Sequence, residues 1–151
     1  MTADPTHLPG ASKRANDQVR IYEATDGAER WDMRGVPVII LSTRGRRSGA
    51  IRKIPLMRVT DGERYAVIAS LGGAPEHPVW YLNLRAHPEV TLQDKAVTRR
   101  YLAHTASGEE RERWWSRAVD VWPDYAAYQT RTERLIPVFV LDPVEGGGTT
   151  A

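Results

Sequence analysis

Val36-Pro37-Val38-Ile39-Ile40-Leu41-Ser42-Thr43-Arg44-Gly45-Arg46-Arg47-Ser48-Gly49-Ala50-Ile51-Arg52-Lys53 is the stretch on which the fold turns. Its first half is apolar and rich in β-branched residues, and Arg44-Gly45 ends it, which reads as a buried strand. A glycine-punctuated basic turn follows, and Ile51 to Thr60 reads as the return strand. An antiparallel pair joined by a cationic loop is the seed from which the rest is read.

Toward the C-terminus, Asp61-Gly62 is a hairpin signal, and Arg64 to Ser70 is a third strand. Leu71 to His77 is a loop, and Pro78 suits the first turn of a short helix carrying Val79, Trp80, Tyr81, Leu82 and Leu84. Glu89 to Gln93 and Ala96 to Ala103 flank a tight turn at Asp94-Lys95, with Val90, Leu92, Val97 and Tyr101 pointing inward. Ser107 with Glu110 three positions on forms a capping box that opens a helix through Trp114, Trp115, Ala118, Val119 and Trp122. Pro123 breaks or kinks that helix, a shorter one runs from Asp124 to Thr132, and Leu135 to Leu141 is the sixth strand. Toward the N-terminus, residues 13–30 carry Val19, Ile21, Tyr22 and Ala24 in a loosely amphipathic pattern that predicts a helix. About six antiparallel strands with helices at the start and in the connections, and no regular strand–helix alternation, predict a mainly β (α+β) chain folded as a small barrel.

A length of 151 residues with 41% hydrophobic composition suits one core. Residues 1–34 read as an N-terminal segment with a helix, 35–143 as the barrel, and 144–151 as a flexible tail. The net charge is only +2, so no chain-wide basic face for nucleic acid is expected. Zero cysteines exclude disulfides, thiolate nucleophiles and Cys-bound metals, and fit a cytoplasmic location. No signal-peptide pattern and no long apolar run is found, so secretion and membrane spanning are not expected.

Four segments carry polar or aromatic groups in suggestive patterns. Thr43 to Lys53 holds five cations in eleven residues; arginine forks and turn amides can hold an anion, although taken alone such a turn reads first as a solvated hairpin. Ala69-Ser70-Leu71-Gly72-Gly73-Ala74 ends a strand with paired glycines, where a flat ligand can approach backbone and Ser70 offers a hydroxyl; it reads equally as a wide loop. On the following helix, core packing explains Trp80 and Leu84, but Asn83 is an amide that needs a partner if buried. Trp122, Tyr125 and Tyr128 recur every third residue and form either a core stripe or a pocket wall. The four histidines are scattered without metal-ligand spacing, so no metal site is expected, and no serine elbow is present.

In order and spacing these segments resemble the deazaflavin-dependent nitroreductase family of actinobacterial type. The matching features are Leu41 to Gly49, Ile54-Pro55-Leu56, Asp61-Gly62, Ala69 to Ala74, Pro78 to Leu84, Pro88, Glu109-Glu110-Arg111, and Tyr125-Ala126-Ala127-Tyr128 through Ile136-Pro137-Val138. The resemblance implies a split β-barrel of the FMN-binding type and a reductase that takes hydride from reduced coenzyme F420, whose tail carries a phosphodiester and several glutamates. It places Arg46, Arg47, Ser48 and Arg52 at that tail, with Lys53 a weaker neighbour on the other strand face. Pro55, Ala69, Ser70, Leu71, Gly72, Gly73, Ala74, Val79, Trp80 and Asn83 would meet the deazaflavin.

Ser70, Tyr125 and Tyr128 are the catalytic candidates the resemblance implies, and Met57, Ser70, Trp122, Tyr125 and Tyr128 would line the acceptor pocket. Trp122 stands where relatives that act on nitroimidazole prodrugs tend to carry tyrosine, and Met57 replaces another aromatic, so the pocket is remodelled. A quinone, an activated enone or a nitroaromatic is the expected small-molecule acceptor. The alternatives are a non-catalytic F420 carrier and an FMN-dependent oxidoreductase on the same barrel. Nucleic-acid binding is not expected, because the basic turn holds no aromatic platform. The oligomeric state and any peripheral contact of the N-terminal helix with the inner face of the cell membrane stay open.

Overall fold

The computed structural model describes residues 13–144; the tail expected to be flexible lies, from residue 145 on, outside the described residues. The elements run α1 (Lys13–Ala24), β1 (Asp32–Met33), β2 (Val36–Arg44), β3 (Ile51–Met57), β4 (Tyr65–Ile68), a short 3-10 turn (Leu71–Gly73), α2 (Val79–Ala86), β5 (Glu89–Asp94), β6 (Val97–Thr105), α3 (Gly108–Val121), α4 (Asp124–Thr130) and β7 (Val138–Pro143).

All strand pairings are antiparallel, in the order β3-β2-β5-β6-β7-β4, with β1 added beside the start of β2. The two ends of that order are joined by the 58–64 hairpin, where Thr60 pairs with Tyr65 and the Ala66 N–H donates to Val59 O at 2.9 Å. The sheet therefore curls back on itself as the expected barrel.

Side-chain alternation explains how each strand serves two cores. Ile39, Leu41, Val67, Ala69, Val90, Leu92, Tyr101, Ala103, Phe139 and Leu141 form one cluster, into which α2 inserts Trp80 and Leu84. The opposite parity packs outward: Val38 and Ile40 against Val19 and Tyr22 of α1, and Ala66, Ile68, Val138 and Val140 against Trp114, Ala118 and Tyr125 of α3 and α4. Strands covered on both faces must be apolar throughout, which is why β2 and β7 read as continuous runs.

Several expected boundaries move. The N-terminal helix stops at Ala24 rather than near residue 30, because Asp26 and Gly27 take positive φ of 51° and 77°. A Cβ on Gly27 would lie 2.9 Å from Tyr22 Cζ, so glycine is required there. The last strand begins at Val138, not Leu135, since Pro137 has no N–H for the ladder. Val97 is 56% exposed rather than inward, at the hairpin tip opposite Asp94 and beyond the core. The capping box does not form: Ser107 makes no side-chain cap bond, Gly108 enters with φ of 58°, and Glu110 bonds His104 Nε2 at 3.0 Å instead.

Candidate functional site

A cleft of about 250 Å³ opens where β3, the end of β4, the start of α2 and α4 converge. Pro55, Met57, Ser70, Leu71, Gly72, Trp80, Trp122, Tyr125 and Tyr128 line it, all named from sequence. Met33, Ile54, Leu56, Ile68 and Pro78 complete the lining and were not named as site residues, although Ile54, Leu56 and Pro78 lie in segments that carry the family resemblance. Ser70, at 8% exposure, makes no side-chain cap bond although it sits before the 3-10 turn. Tyr125 packs edge-on against Tyr128 with ring centroids 6.0 Å apart, and burial, followed by the neighbouring Tyr128, pushes its phenol up to about 12. Like any phenol it is protonated at neutral pH and able to donate a hydrogen bond, and burial extends that to higher pH. Trp122 Nε1 donates to Tyr128 Oη at 3.2 Å, which leaves the Tyr128 hydroxyl hydrogen free to point elsewhere. Apolar walls with a few hydroxyls suit a flat, carbonyl-bearing ligand.

The other residues expected around the glycine loop serve its shape. Ala69 is fully buried in the barrel core, and its N–H donates to Pro137 O. Gly73 has φ of 84°, and a Cβ there would lie 2.6 Å from Tyr128 O, so α4 packs directly on it. The Ala74 carbonyl accepts from Arg134 Nε at 2.9 Å. Val79 is 46% exposed and does not line the cleft.

The basic turn adjoins the cleft through α2. Asn83 lies one turn after Trp80 and is 3% exposed; its Oδ1 accepts the Arg46 backbone N–H at 3.0 Å. Asn83 thus meets the cationic turn rather than the cleft lining. That bond fixes the amide, because a backbone N–H requires the oxygen, and Nδ2 is then a buried donor without a partner. It is the only such side-chain atom among the described residues that is not on an arginine. Within the turn, Ser48 Oγ accepts from Ala50 N, and Arg44 Nη1 donates to Gly49 O. Arg52 Nε is buried and unpartnered beside Gly45. Among the described residues Arg46, Arg47 and Arg52 form no ion pair, whereas Lys53 is taken by Glu23 of α1 at 2.6 Å. Three uncommitted guanidiniums with two orphaned buried donors are what an anionic ligand would complete.

A family profile described as F420H(2)-dependent quinone reductase matches residues 14–143. The chain belongs to the F420H(2)-dependent quinone reductase family. It is 41% identical over 108 residues, 72% of this chain and 91% of the relative, to a Mycobacterium tuberculosis protein provisionally named as such a reductase. Among solved structures it resembles one described as an F420-H2 dependent reductase, with 48% identity, TM-score 0.68, and coverage of 70% of this chain and 94% of that one. Another, described as a domain-swapped dimer, matches with 45% identity, TM-score 0.71, and coverage of 84% and 95%. No described helix is long and apolar enough to cross a membrane.

Proposed function

We propose that this F420H(2)-dependent quinone reductase family member holds reduced coenzyme F420 between the basic turn and the cleft and reduces a quinone-class acceptor. The observation that carries the reading is continuity: Asn83 ties the unpaired Arg46–Arg47 turn to α2, whose Trp80 lines the cleft. Arg46, Arg47 and Arg52 would hold the phosphodiester and glutamates, with Asn83 Nδ2 and Arg52 Nε as further donors. Pro55, Ser70, Leu71, Gly72 and Trp80 would meet the deazaflavin. Bound there in reduced form, the coenzyme supplies a hydride.

The chain's own task is to orient and polarise the acceptor. Tyr125, whose phenol is protonated at neutral pH, and Tyr128, whose oxygen already accepts from Trp122, can donate to an acceptor oxygen as negative charge builds on it. Ser70 lines the same cleft and offers a third hydroxyl. The aromatic and aliphatic lining displaces water and strengthens those bonds. Activated enones and nitroaromatics share the polarised oxygen and fall within the same chemistry.

The test is anaerobic mixing of the protein with F420H2 and menadione, following the return of oxidised F420. Protein-dependent, saturable reoxidation is expected. Saturable F420 binding without reoxidation by any acceptor of the three classes would make the protein a carrier, and preference for FMN would overturn the coenzyme assignment.

A further inference from the structure

The wall that carries Ser70 is built from an unfavourable backbone. Leu71, Gly72 and Gly73 take consecutive φ of 46°, 64° and 84°, and Leu71 is no glycine. L-residues stay in that region only where their surroundings hold them. Two bonds within the turn, Gly73 N–H to Ser70 O and Ala74 N–H to Leu71 O, are those of any tight turn. Gly73 also packs on the Tyr128 backbone, and the largest set of further bonds comes from one side chain far along the sequence. Arg134 Nη2 donates to Ser70 O at 2.7 Å, Nη1 to Ala69 O at 3.1 Å, and Nε to Ala74 O at 2.9 Å. Nη1 also lies 3.0 Å from His77 Nδ1, and the His77 ring stacks on Tyr81 at 3.9 Å.

Arg134 is in turn fixed to the helix that carries the tyrosines. Gln129 of α4 donates through Nε2 to Arg134 O at 2.8 Å and accepts the Ile136 N–H at 3.0 Å through Oε1. A continuous path of hydrogen bonds therefore runs from the helix bearing Tyr125 and Tyr128, through Gln129 and Arg134, to the carbonyl of Ser70. Arg131 adds a longer bond to Gly72 O at 3.3 Å.

We infer that Arg134 is a positioning residue of the proposed reaction: by gripping the carbonyls of Ala69, Ser70 and Ala74 it fixes the left-handed turn and sets Ser70 relative to Tyr125 and Tyr128 in the cleft that all three line. Only a planar guanidinium spreads its donors over three nitrogens to reach carbonyls on both sides of a turn; an ammonium concentrates them at one point. The consequence for function rests on the reductase reading, but the clamp itself does not.

The experiment compares wild type with Arg134→Lys and Arg134→Met. Backbone amide exchange is measured on the coenzyme-free proteins, and kcat, KM for menadione and F420 affinity on the loaded ones. Exchange at residues 71–77 should rise about tenfold in both variants while the barrel strands keep their protection. On the loaded enzymes, kcat should fall about tenfold with F420 affinity and menadione KM changed far less. Lysine should not rescue. Unchanged exchange at 71–77, a uniform loss of protection, or full rescue by lysine overturns the inference. Should R134M not fold, R134K carries the same comparison. If wild type itself does not oxidise F420H2, the reductase reading fails, and exchange alone decides the clamp.

Discussion

Two polar clusters sit on the same barrel and are built by opposite rules. At the seam around the β5–β6 turn, Asp94 accepts from Arg58 Nη2 at 2.7 Å and from Tyr65 Oη at 2.6 Å. Tyr22 Oη takes the Lys95 N–H and donates to Val38 O, and Lys95 Nζ reaches Gly27 O. At the cleft and basic turn, Asn83 Nδ2 and Arg52 Nε are buried without partners, and Arg46 and Arg47 face no carboxylate among the described residues. Leaving a buried donor unpaired costs roughly 1–3 kcal/mol; the seam bears one such donor too, Arg58 Nε, but its charge is paired, whereas at the turn the orphaned donors sit beside guanidiniums with no carboxylate partner.

Breaking the seam should have the largest effect on stability. Asp94→Ala strands Arg58 and Tyr65 together, and because both ends of the ion pair keep some solvent access, 27% and 18%, the expected loss is about 2–3 kcal/mol. Chemical denaturation would show it, and a loss below ~0.5 kcal/mol would erase the distinction between the two clusters. Tyr125→Phe sharpens the contrast from the other side. Removing a hydroxyl that serves no fold contact should leave the melting temperature unchanged or raised, while turnover with menadione drops about tenfold, the worth of one hydrogen bond of ~1.4 kcal/mol. A lower melting temperature with normal turnover would move Tyr125 into the structural class.

A smaller effect concerns His77. Burial first, then the charges of Arg134 and Arg85, hold its imidazole below the ordinary 6.5. The native state therefore resists a proton that the unfolded chain accepts, and stability is full above that range and declines as pH falls through 6.5 toward the lower folded value. Thermal melts from neutral to mildly acidic pH should show a steeper decline for wild type than for His77→Gln. Equal slopes would separate His77 from the loop's stability. The smallest effect belongs to the exposed Lys53–Glu23 pair, where Lys53→Met should change stability by no more than about 0.5 kcal/mol and leave F420 affinity nearly intact.

Apolar runs and turn signals brought the strands into view along the chain, since β2, β4 and β7 must be apolar on both faces and Asp61-Gly62 and Asp94-Lys95 separate the hairpins, but not their order in the sheet. Boundaries slipped where one backbone angle or one missing N–H decides, at Gly27 and Pro137. The cleft was legible because its residues lie in short local motifs. What the basic turn does was not, because whether an arginine is paired depends on neighbours that sequence cannot place. Lys53 and Arg52 are adjacent, yet one meets Glu23 and the other does not. Arg134 was invisible for the same reason: it acts on carbonyls 60 to 65 residues earlier, and nothing in Glu133-Arg134-Leu135 marks it.

The most direct measurement is a binding titration of wild type and Arg46→Ala/Arg47→Ala with coenzyme F420 and with a deazaflavin lacking the phosphodiester and glutamate tail. Wild type should prefer the complete coenzyme by at least about tenfold, as one charge-assisted contact allows. The double variant should lose most of that preference while binding the truncated ring system as before. Equal affinity of wild type for both ligands, or an unchanged preference in the double variant, would contradict a coenzyme held by its tail at the unpaired turn.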